Sequence, residues 1–252
     1  MIIVLTCPRS ESEKPWPYVG ATLSQIDREN IPGLRKSIVV DRCRRSQPAD
    51  PDDVEPNWMP PELESAASRG WYVDYYDEPH LRGNKWGYWH ALELGAKSGE
   101  DLLLFEDDLL FCRNAVRRMS TFPVPGDLAL VSFFSPRVLQ TASAIPGLWR
   151  PPRFTYFTQA IKFSASTLQA LVEYRKNPGW TKFNASDNAL MLALTTLGLR
   201  YGVHAPDLVD HVGAISECTP SASLEMNDRR SKMFPGPDWD ALQLYSSDEL
   251  YR

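Results

Sequence analysis

The chain has 252 residues, of which 43% are hydrophobic and 23% are charged. This composition is ordinary for a globular protein with a sizeable core, and it excludes a mainly disordered or fibrous chain. The formal net charge of -5 gives no support to a nucleic-acid-binding function, because such proteins usually carry a basic excess that attracts phosphates.

Neither the cysteines nor the apolar segments indicate a secreted or membrane protein. The four cysteines lie far apart without a C-x-x-C pair, which argues against a zinc site or a disulfide framework and favours a reducing compartment. No stretch approaches the roughly 20 apolar residues that span a bilayer, and the apolar run 2–7 is too short for a signal peptide. We therefore expect no membrane span and a cytoplasmic location, unless an anchor has been removed.

The first 112 residues are predicted to alternate between buried strands and helices. Residues 1–6 form a continuous apolar, β-branched run, which is typical of a strand covered on both faces. A helix over 18–29 and a second buried strand over 37–40 complete a βαβ unit, the building block of parallel sheets. After a polar loop, the same pattern predicts helices over 61–69 and 84–97 and strands over 71–76 and 101–105.

The remaining chain is predicted to be less regular. Strands are expected over 129–134 and 157–163, with a loop over 135–155 between them that covers the site. Helices are expected near 166–174 and over 186–197. The tail from 219 onward is expected to be irregular or loosely docked.

The sharpest feature is the triplet Glu106-Asp107-Asp108, which follows the apolar strand 101–105. Adjacent carboxylates repel one another and are costly at a buried strand end unless a cation neutralises them. Carboxylate oxygens suit hard cations such as Mg²⁺ or Mn²⁺, which keep positions open for phosphates. The alternative interpretation is a solvated acidic turn, or an acidic N-cap for a helix that begins near Arg113.

Polar residues also follow the first two predicted strands. Arg9 comes after the first strand, and Asp41 and Arg42 come after the second. The carboxyl ends of strands in an open α/β sheet meet in one crevice, where ligands bind. We therefore expect these side chains to face the same crevice as the acidic triplet.

With these residues the chain resembles the GT-A glycosyltransferases, whose nucleotide-binding half ends in a short acidic motif; the run Leu104-Phe-Glu-Asp-Asp-Leu109 matches its Glu-Asp-Asp form. It is most similar to the N-glycan-branching β-1,4-N-acetylglucosaminyltransferases, which place an Asn-bearing helix before the acids and a His-Val-Gly after them. The corresponding segments here are Gly83-Asn84-Lys85 and Asp210-His211-Val212-Gly213. The chain is much shorter than those enzymes and lacks their typical anchor, so their acceptor and sugar are not carried over.

The resemblance implies a GT-A-like α/β fold, with a Rossmann-type, mostly parallel central sheet flanked by helices and a smaller acceptor-side subregion. A single catalytic domain would cover residues 1–218, followed by an irregular tail over 219–252. Within the domain, residues 1–112 would bind the nucleotide-sugar, and residues 113–218 would bind the acceptor. The reaction would be a metal-dependent, inverting transfer of a hexosyl or N-acetylhexosaminyl group, with a UDP-sugar as the favoured donor.

The resemblance also implies roles for individual residues. Asp108 and His211 would bind Mn²⁺ or Mg²⁺ against the donor diphosphate, with His204 as a weaker alternative to His211. The residues expected to contact the donor are Arg9, Asp41, Arg42, Asn84, Lys85, Glu106 and Asp107. A lone histidine is more often structural than a ligand, and the donor contacts placed by analogy have ordinary surface interpretations.

Asp187, at the start of the predicted helix 186–197, is the expected general base that takes the proton of the acceptor hydroxyl. An acid in the first turn of a helix also complements the helix dipole and caps free N–H groups, and this alternative stays open. Among the aromatic residues, we expect Trp149 or Trp180 to contact the acceptor.

Two other functions remain open. A nucleotidyltransferase also binds a nucleotide through a metal on strand-end acids, but it usually has a Gly-rich loop after the first strand, and Cys7-Pro8-Arg9-Ser10 contains no glycine. A non-catalytic carbohydrate- or nucleotide-binding domain would not need the triplet, Asp187 and His211 together. The acceptor could be a saccharide, a lipid-linked glycan, a protein side chain or a hydroxylated DNA base in a viral system. The charge does not support the last of these, and the oligomeric state cannot be read from the sequence.

Overall fold

The computed structural model describes residues 1–7, 18–41, 59–76, 84–135, 147–150, 158–176, 186–213 and 230–243. The described strands are β1 (Ile2–Thr6), β2 (Lys36–Asp41), β3 (Tyr72–Tyr76), β4 (Leu102–Glu106), β5 (Leu109–Phe111), β6 (Leu130–Ser132), β7 (Gly147–Trp149), β8 (Ala160–Phe163), β9 (Tyr201–Ala205) and β10 (Val209–His211). The helices are α1 (Val19–Arg28), α2 (Pro61–Ser68), α3 (Asn84–Ser98), α4 (Ala115–Thr121), α5 (Ala165–Tyr174) and α6 (Ser186–Thr196), with a 3-10 helix at Ala241–Gln243.

Eight of these strands form one central sheet in the order β3-β2-β1-β4-β8-β6-β9-β7. β1 pairs in parallel with β2 and β4, β2 with β3, and β6 with β9. β8 and β7 run against their neighbours. The predicted α/β fold with a mostly parallel sheet flanked by helices is therefore confirmed.

Helices cover both faces of this sheet, which explains why the central strands are apolar throughout. Ile2 and Val4 of β1 belong to the buried cluster that α1, α2 and α4 complete. Ile3 and Leu5 belong to the opposite cluster, which α3, α5 and α6 complete. This alternation is the two-residue period of a strand with one core on each side. No described helix has the length and apolarity needed to cross a membrane.

A small antiparallel ribbon of β5 and β10 lies beside the central sheet, with Leu109 opposite His211. The sequence did not predict either strand. It also placed residues 147–149 in a loop, which is wrong, because they form β7 and pair with β9 at the edge of the sheet.

Residues 230–243, which we call the strap, have irregular backbone apart from the 3-10 helix, yet they are docked at both ends. Arg113 N donates to the carbonyl of Pro237, and Ala241 N donates to the carbonyl of Arg113. Ala241 is fully buried in the core. This part of the predicted tail is therefore irregular but packed against the domain.

Candidate active site

The acidic triplet stands at the carboxyl end of β4, near the middle of the central sheet. Glu106 is the last residue of β4, and Asp107 and Asp108 form the bend that leads into β5. Asp107 and Asp108 are only 2% and 4% exposed, which does not fit a solvated acidic turn. Buried carboxylates at this place require compensating donors or a cation.

Three threonines hold the first two acids in place. Thr6 Oγ1, at the end of the neighbouring β1, donates to Asp107 Oδ2 at 2.5 Å. Thr22 Oγ1 of α1 donates to the backbone carbonyl of Asp107 at 2.6 Å. Thr158 Oγ1 donates to Glu106 Oε1 at 2.8 Å. The Asp107 carboxylate is thus engaged with β1, so it orients the bend.

The β5–β10 ribbon brings the His-Val-Gly segment to Asp108. His211 Nε2 lies 3.0 Å from Asp108 Oδ2, and Val212 N donates to the carbonyl of Asp108 at 2.9 Å. A Cβ atom on Gly213 would lie 2.0 Å from Asp108 Oδ2, so only glycine fits beside this carboxylate. Each residue of the His-Val-Gly segment is therefore explained by its contact with Asp108: His211 and Val212 bind this residue, and Gly213 leaves room for its carboxylate.

Glu106, Asp108 and His211 each offer one ligand atom, and these atoms all lie within 4.8 Å of one another. Two carboxylate oxygens and one imidazole nitrogen form a donor set suited to a divalent cation that accepts mixed oxygen and nitrogen ligands. The chemistry of the donor set therefore fits the predicted metal. The sequence predicted that Glu106 contacts the nucleotide-sugar donor. In the structure a carboxylate oxygen of Glu106 lies among the possible metal ligands.

Asp187 is the second residue of α6, and its Oδ1 accepts a hydrogen bond from the backbone N–H of Asn188 at 2.7 Å. Burial raises the pKa of the Asp187 carboxyl above its ordinary value, although backbone hydrogen bonds act to lower it. A base with a raised pKa accepts a proton more readily. The helix-start geometry fits the capping interpretation as well.

Tyr88 of α3 is a residue that the sequence did not single out. It is 0% exposed, and its hydroxyl has no hydrogen-bond partner within the described parts of the chain. Burial, followed by the negative charges of Glu106 and Asp187, holds the pKa of Tyr88 well above 10. Tyr88 therefore lies within electrostatic range of both carboxylates.

The remaining predicted donor contacts are only partly covered by the structure. Asp41 is 2% exposed at the end of β2, and a Cβ on Gly87 of α3 would lie 3.3 Å from its Oδ2. The first turn of α3 therefore crosses the end of β2. Asn84 and Lys85 begin this helix, but their side chains lie outside the described part, as do Arg9, Arg42 and Trp180.

Trp149 and His204 were the weaker candidates among the predicted site residues, and the structure places them as follows. Trp149 lies on the edge strand β7, four strands from β4 in the sheet order, or about 19 Å at the usual strand spacing. His204 is fully buried, with its Nδ1 2.8 Å from the carbonyl oxygen of Pro206. Burial lowers the pKa of His204 to about 4, so His204 is a neutral core residue.

A second group of acids lies beside the ribbon and binds the strap. Asp207 Oδ2 accepts from the backbone N–H of Ser135 at 2.9 Å and from Ser231 Oγ at 2.7 Å. Asp210 Oδ1 accepts from the backbone N–H of Ser231, and its Oδ2 accepts from Arg230 Nε at 2.6 Å. The strap therefore clamps the strand that carries His211.

Comparisons with known proteins give distant similarities. No protein-family model and no curated protein matches the sequence. Among solved structures, an inositol-1-phosphate CTP transferase from T. maritima is 16% identical, covers 81% of this chain and 84% of its own, and has a TM-score of 0.48. The galactosyltransferase LgtC, in complex with donor and acceptor sugar analogues, is 10% identical, with coverages of 79% and 72% and a TM-score of 0.47.

A glycosyltransferase involved in the glycosylation of the major capsid of PBCV-1 is 11% identical, with coverages of 87% of this chain and 96% of its own and a TM-score of 0.42. Similarities this distant assign neither a reaction nor a site residue to the chain. None of them points to the N-glycan-branching β-1,4-N-acetylglucosaminyltransferases.

Proposed function

We propose that this protein is a metal-dependent transferase that moves a sugar from a nucleotide-sugar, with a UDP-sugar favoured, to an acceptor hydroxyl. The observation that carries the proposal is the cluster of Glu106, Asp108 and His211 at the carboxyl end of β4. In an open α/β sheet this edge is where ligands bind.

In this proposal Glu106, Asp108 and His211 hold Mn²⁺, since the imidazole nitrogen makes the site less suited to Mg²⁺, which prefers oxygen ligands. A cation held there would neutralise charge on the donor diphosphate. The pair Thr6 and Thr22 keeps the bend between β4 and β5 rigid, because both anchor Asp107. The proposed division is a donor half over 1–112 and an acceptor half over 113–218.

The proposed chemistry is an inverting displacement in which Asp187 acts as the base. The acceptor hydroxyl transfers its proton to the Asp187 carboxylate while its oxygen forms a bond to the anomeric carbon. The bond from that carbon to the diphosphate oxygen breaks, and the nucleoside diphosphate leaves on the opposite face. Support comes from the half-buried position of Asp187 and from the action of its charge and that of Glu106 on the same buried tyrosine.

The experiment that tests the proposal is a binding titration of UDP and UDP-sugars with Mn²⁺, with Mg²⁺ and with EDTA. We expect binding that requires the metal, and a loss of more than about tenfold in affinity for Asp108→Asn, which removes one ligand charge while keeping the shape. The matched control is Asp127→Asn, because Asp127 is an exposed acid paired with Arg150 and Arg200.

Equal binding in EDTA, or equal losses in both variants, would refute the proposal. The same titration with nucleoside triphosphates and sugar phosphates distinguishes a nucleotidyltransferase. That reaction would give pyrophosphate as a product, whereas sugar transfer gives a nucleoside diphosphate. Residues 8–17, after the first strand, contain no glycine, which favours sugar transfer.

A further inference from the structure

Tyr88 buries a hydroxyl that the fold does not use. The residue is fully buried, and its hydroxyl has no hydrogen-bond partner among the described residues. A buried hydroxyl without a partner destabilises the folded protein. Such groups are rare in native structures and require an explanation.

The acceptor that suits this hydroxyl lies on the neighbouring helix. Helix α3 packs against α6, and Tyr88 shares a buried cluster with Ala189 and Leu190. These two residues follow Asp187 on α6 by two and three positions, within one turn of the helix. The negative charge of Asp187 acts on Tyr88, as does that of Glu106.

The Asp187 carboxylate can act as the hydrogen-bond acceptor. Its Oδ1 accepts from the backbone N–H of Asn188 at 2.7 Å, and a carboxylate has about four lone-pair positions, so it can accept further hydrogen bonds. Two packed helices therefore present a buried hydroxyl without an acceptor among the described residues and a carboxylate that can accept a further hydrogen bond. A cation at Glu106 would neutralise one of the two charges that act on Tyr88, which leaves Asp187 as the stronger acceptor.

We propose that Tyr88 is the positioning residue of Asp187: when metal and nucleotide are bound, its hydroxyl donates to the Asp187 carboxylate and fixes the direction in which this carboxylate receives the acceptor's proton. The inference rests on the proposed function, because it assigns Asp187 the role of base. The inference goes beyond the proposed function because it names the residue that orients the base.

The test is Tyr88→Phe, which removes only the hydroxyl. We expect the melting temperature of the free protein to rise, because an unpartnered polar group leaves the core. We also expect kcat to fall about tenfold, a part of what a general base contributes, while the Kd for the donor stays the same. The acidic limb of kcat should move to higher pH, because the charged form of Asp187 loses a hydrogen-bond donor.

The matched control is Tyr174→Phe, since Tyr174 of α5 is buried in the same cluster. It should leave kcat and its pH profile unchanged. A Tyr88→Phe variant with wild-type kcat and an unmoved acidic limb would overturn the inference.

A second measurement does not depend on turnover. Carbon-13 NMR of aspartate-labelled protein with Mg²⁺ and UDP follows the Asp187 carboxyl through pH, with Asp187→Asn used to assign its signal. The midpoint should lie higher in Tyr88→Phe than in the wild type, and identical midpoints would refute the inference alone. Failure of the wild type to bind UDP in the presence of Mn²⁺, measured by titration, would instead refute the proposed function, so the two failures are distinguishable.

Discussion

Gly213 shows how closely single residues surround the proposed metal ligands. A Cβ atom at this position would lie 2.0 Å from Asp108 Oδ2 and 2.8 Å from its Cγ, so an alanine would push the carboxylate away from His211. We predict that Gly213→Ala lowers the affinity for Mn²⁺ about tenfold or more, measured by isothermal titration calorimetry. Gly126→Ala is the control, because no atom lies within 4 Å of its added Cβ. Wild-type Mn²⁺ affinity in Gly213→Ala would show that Asp108 is not a ligand.

Asp108 and His211 could be identified from the sequence, because an acid that follows an apolar strand and one of only four histidines are conspicuous. Tyr88 could not be singled out in that way. A tyrosine among Trp86, Trp89 and Leu92 on a helix reads as ordinary core packing, and only the structure shows that its hydroxyl has no partner. The roles of Asp187, Arg9 and the other expected donor contacts remain predictions.

At the scale of elements, the strap contacts Asp210, the residue that precedes the proposed metal ligand His211. Arg230 is the cation opposite Asp210, whose side chain is 3% exposed, while Arg230 itself is 46% exposed. Asp210 precedes His211, so the strap and β10 hold the histidine in place. At the other end of the strap, Asn114 Nδ2 donates to Asp240 Oδ1 at 3.0 Å.

We predict that Arg230→Met lowers both the free energy of unfolding and the affinity for Mn²⁺. A buried carboxylate that loses its cation costs several kcal/mol, and the exposure of Arg230 reduces this to about 2 kcal/mol. Urea unfolding and metal titration measure the two effects. Arg200→Met, which breaks the exposed pair with Asp127, should change stability by no more than about 0.5 kcal/mol. Unchanged Mn²⁺ affinity in Arg230→Met would show that the contacts of the strap do not influence metal binding.

The elements that the sequence predicted are the longer ones, such as α1 and α3, where periodicity extends over several turns. β5, β7 and β10 have three residues each, and they were not predicted, whereas the equally short β6 lies within the longer apolar run 129–134. Their pairing partners, such as Leu109 with His211, come from distant parts of the chain. Tertiary contacts therefore decide these strands, and with them the position of His211.

For the whole molecule, the α/β class follows from continuous apolar runs such as Ile2 to Leu5, which only a sheet covered on both faces can bury. The order of the strands does not follow from such runs. β8 enters antiparallel between β4 and β6, and this placement separates Trp149 from the acids. Local pattern gives the class, whereas long-range pairing gives the neighbours of the site.

The stability of the whole molecule should depend on pH through two buried groups with opposite effects. Burial, together with the charge of Asp210, raises the pKa of Asp207 from 3.8 to about 7. Its contribution to stability is present below pH 3.8 and is lost as the pH rises to about 7. Burial, with the charge of Arg118, lowers the pKa of His204 from 6.5 to about 4, so its contribution is present above pH 6.5 and is lost as the pH falls to about 4.

Between these limits the two gradients oppose each other, and Asp207→Asn removes one of them. The amide stays neutral at every pH, so the variant should gain stability over the wild type as the pH rises from 5 to 8, by about 2 kcal/mol. His204 is common to both proteins and cancels in the difference. Urea unfolding of both proteins at the two pH values measures this difference, and Asp238→Asn, at an exposed acid, should show none. A difference that stays constant with pH would mean that Asp207 is already ionised in the folded protein at pH 5, with Ser135 and Ser231 as sufficient donors for its charge.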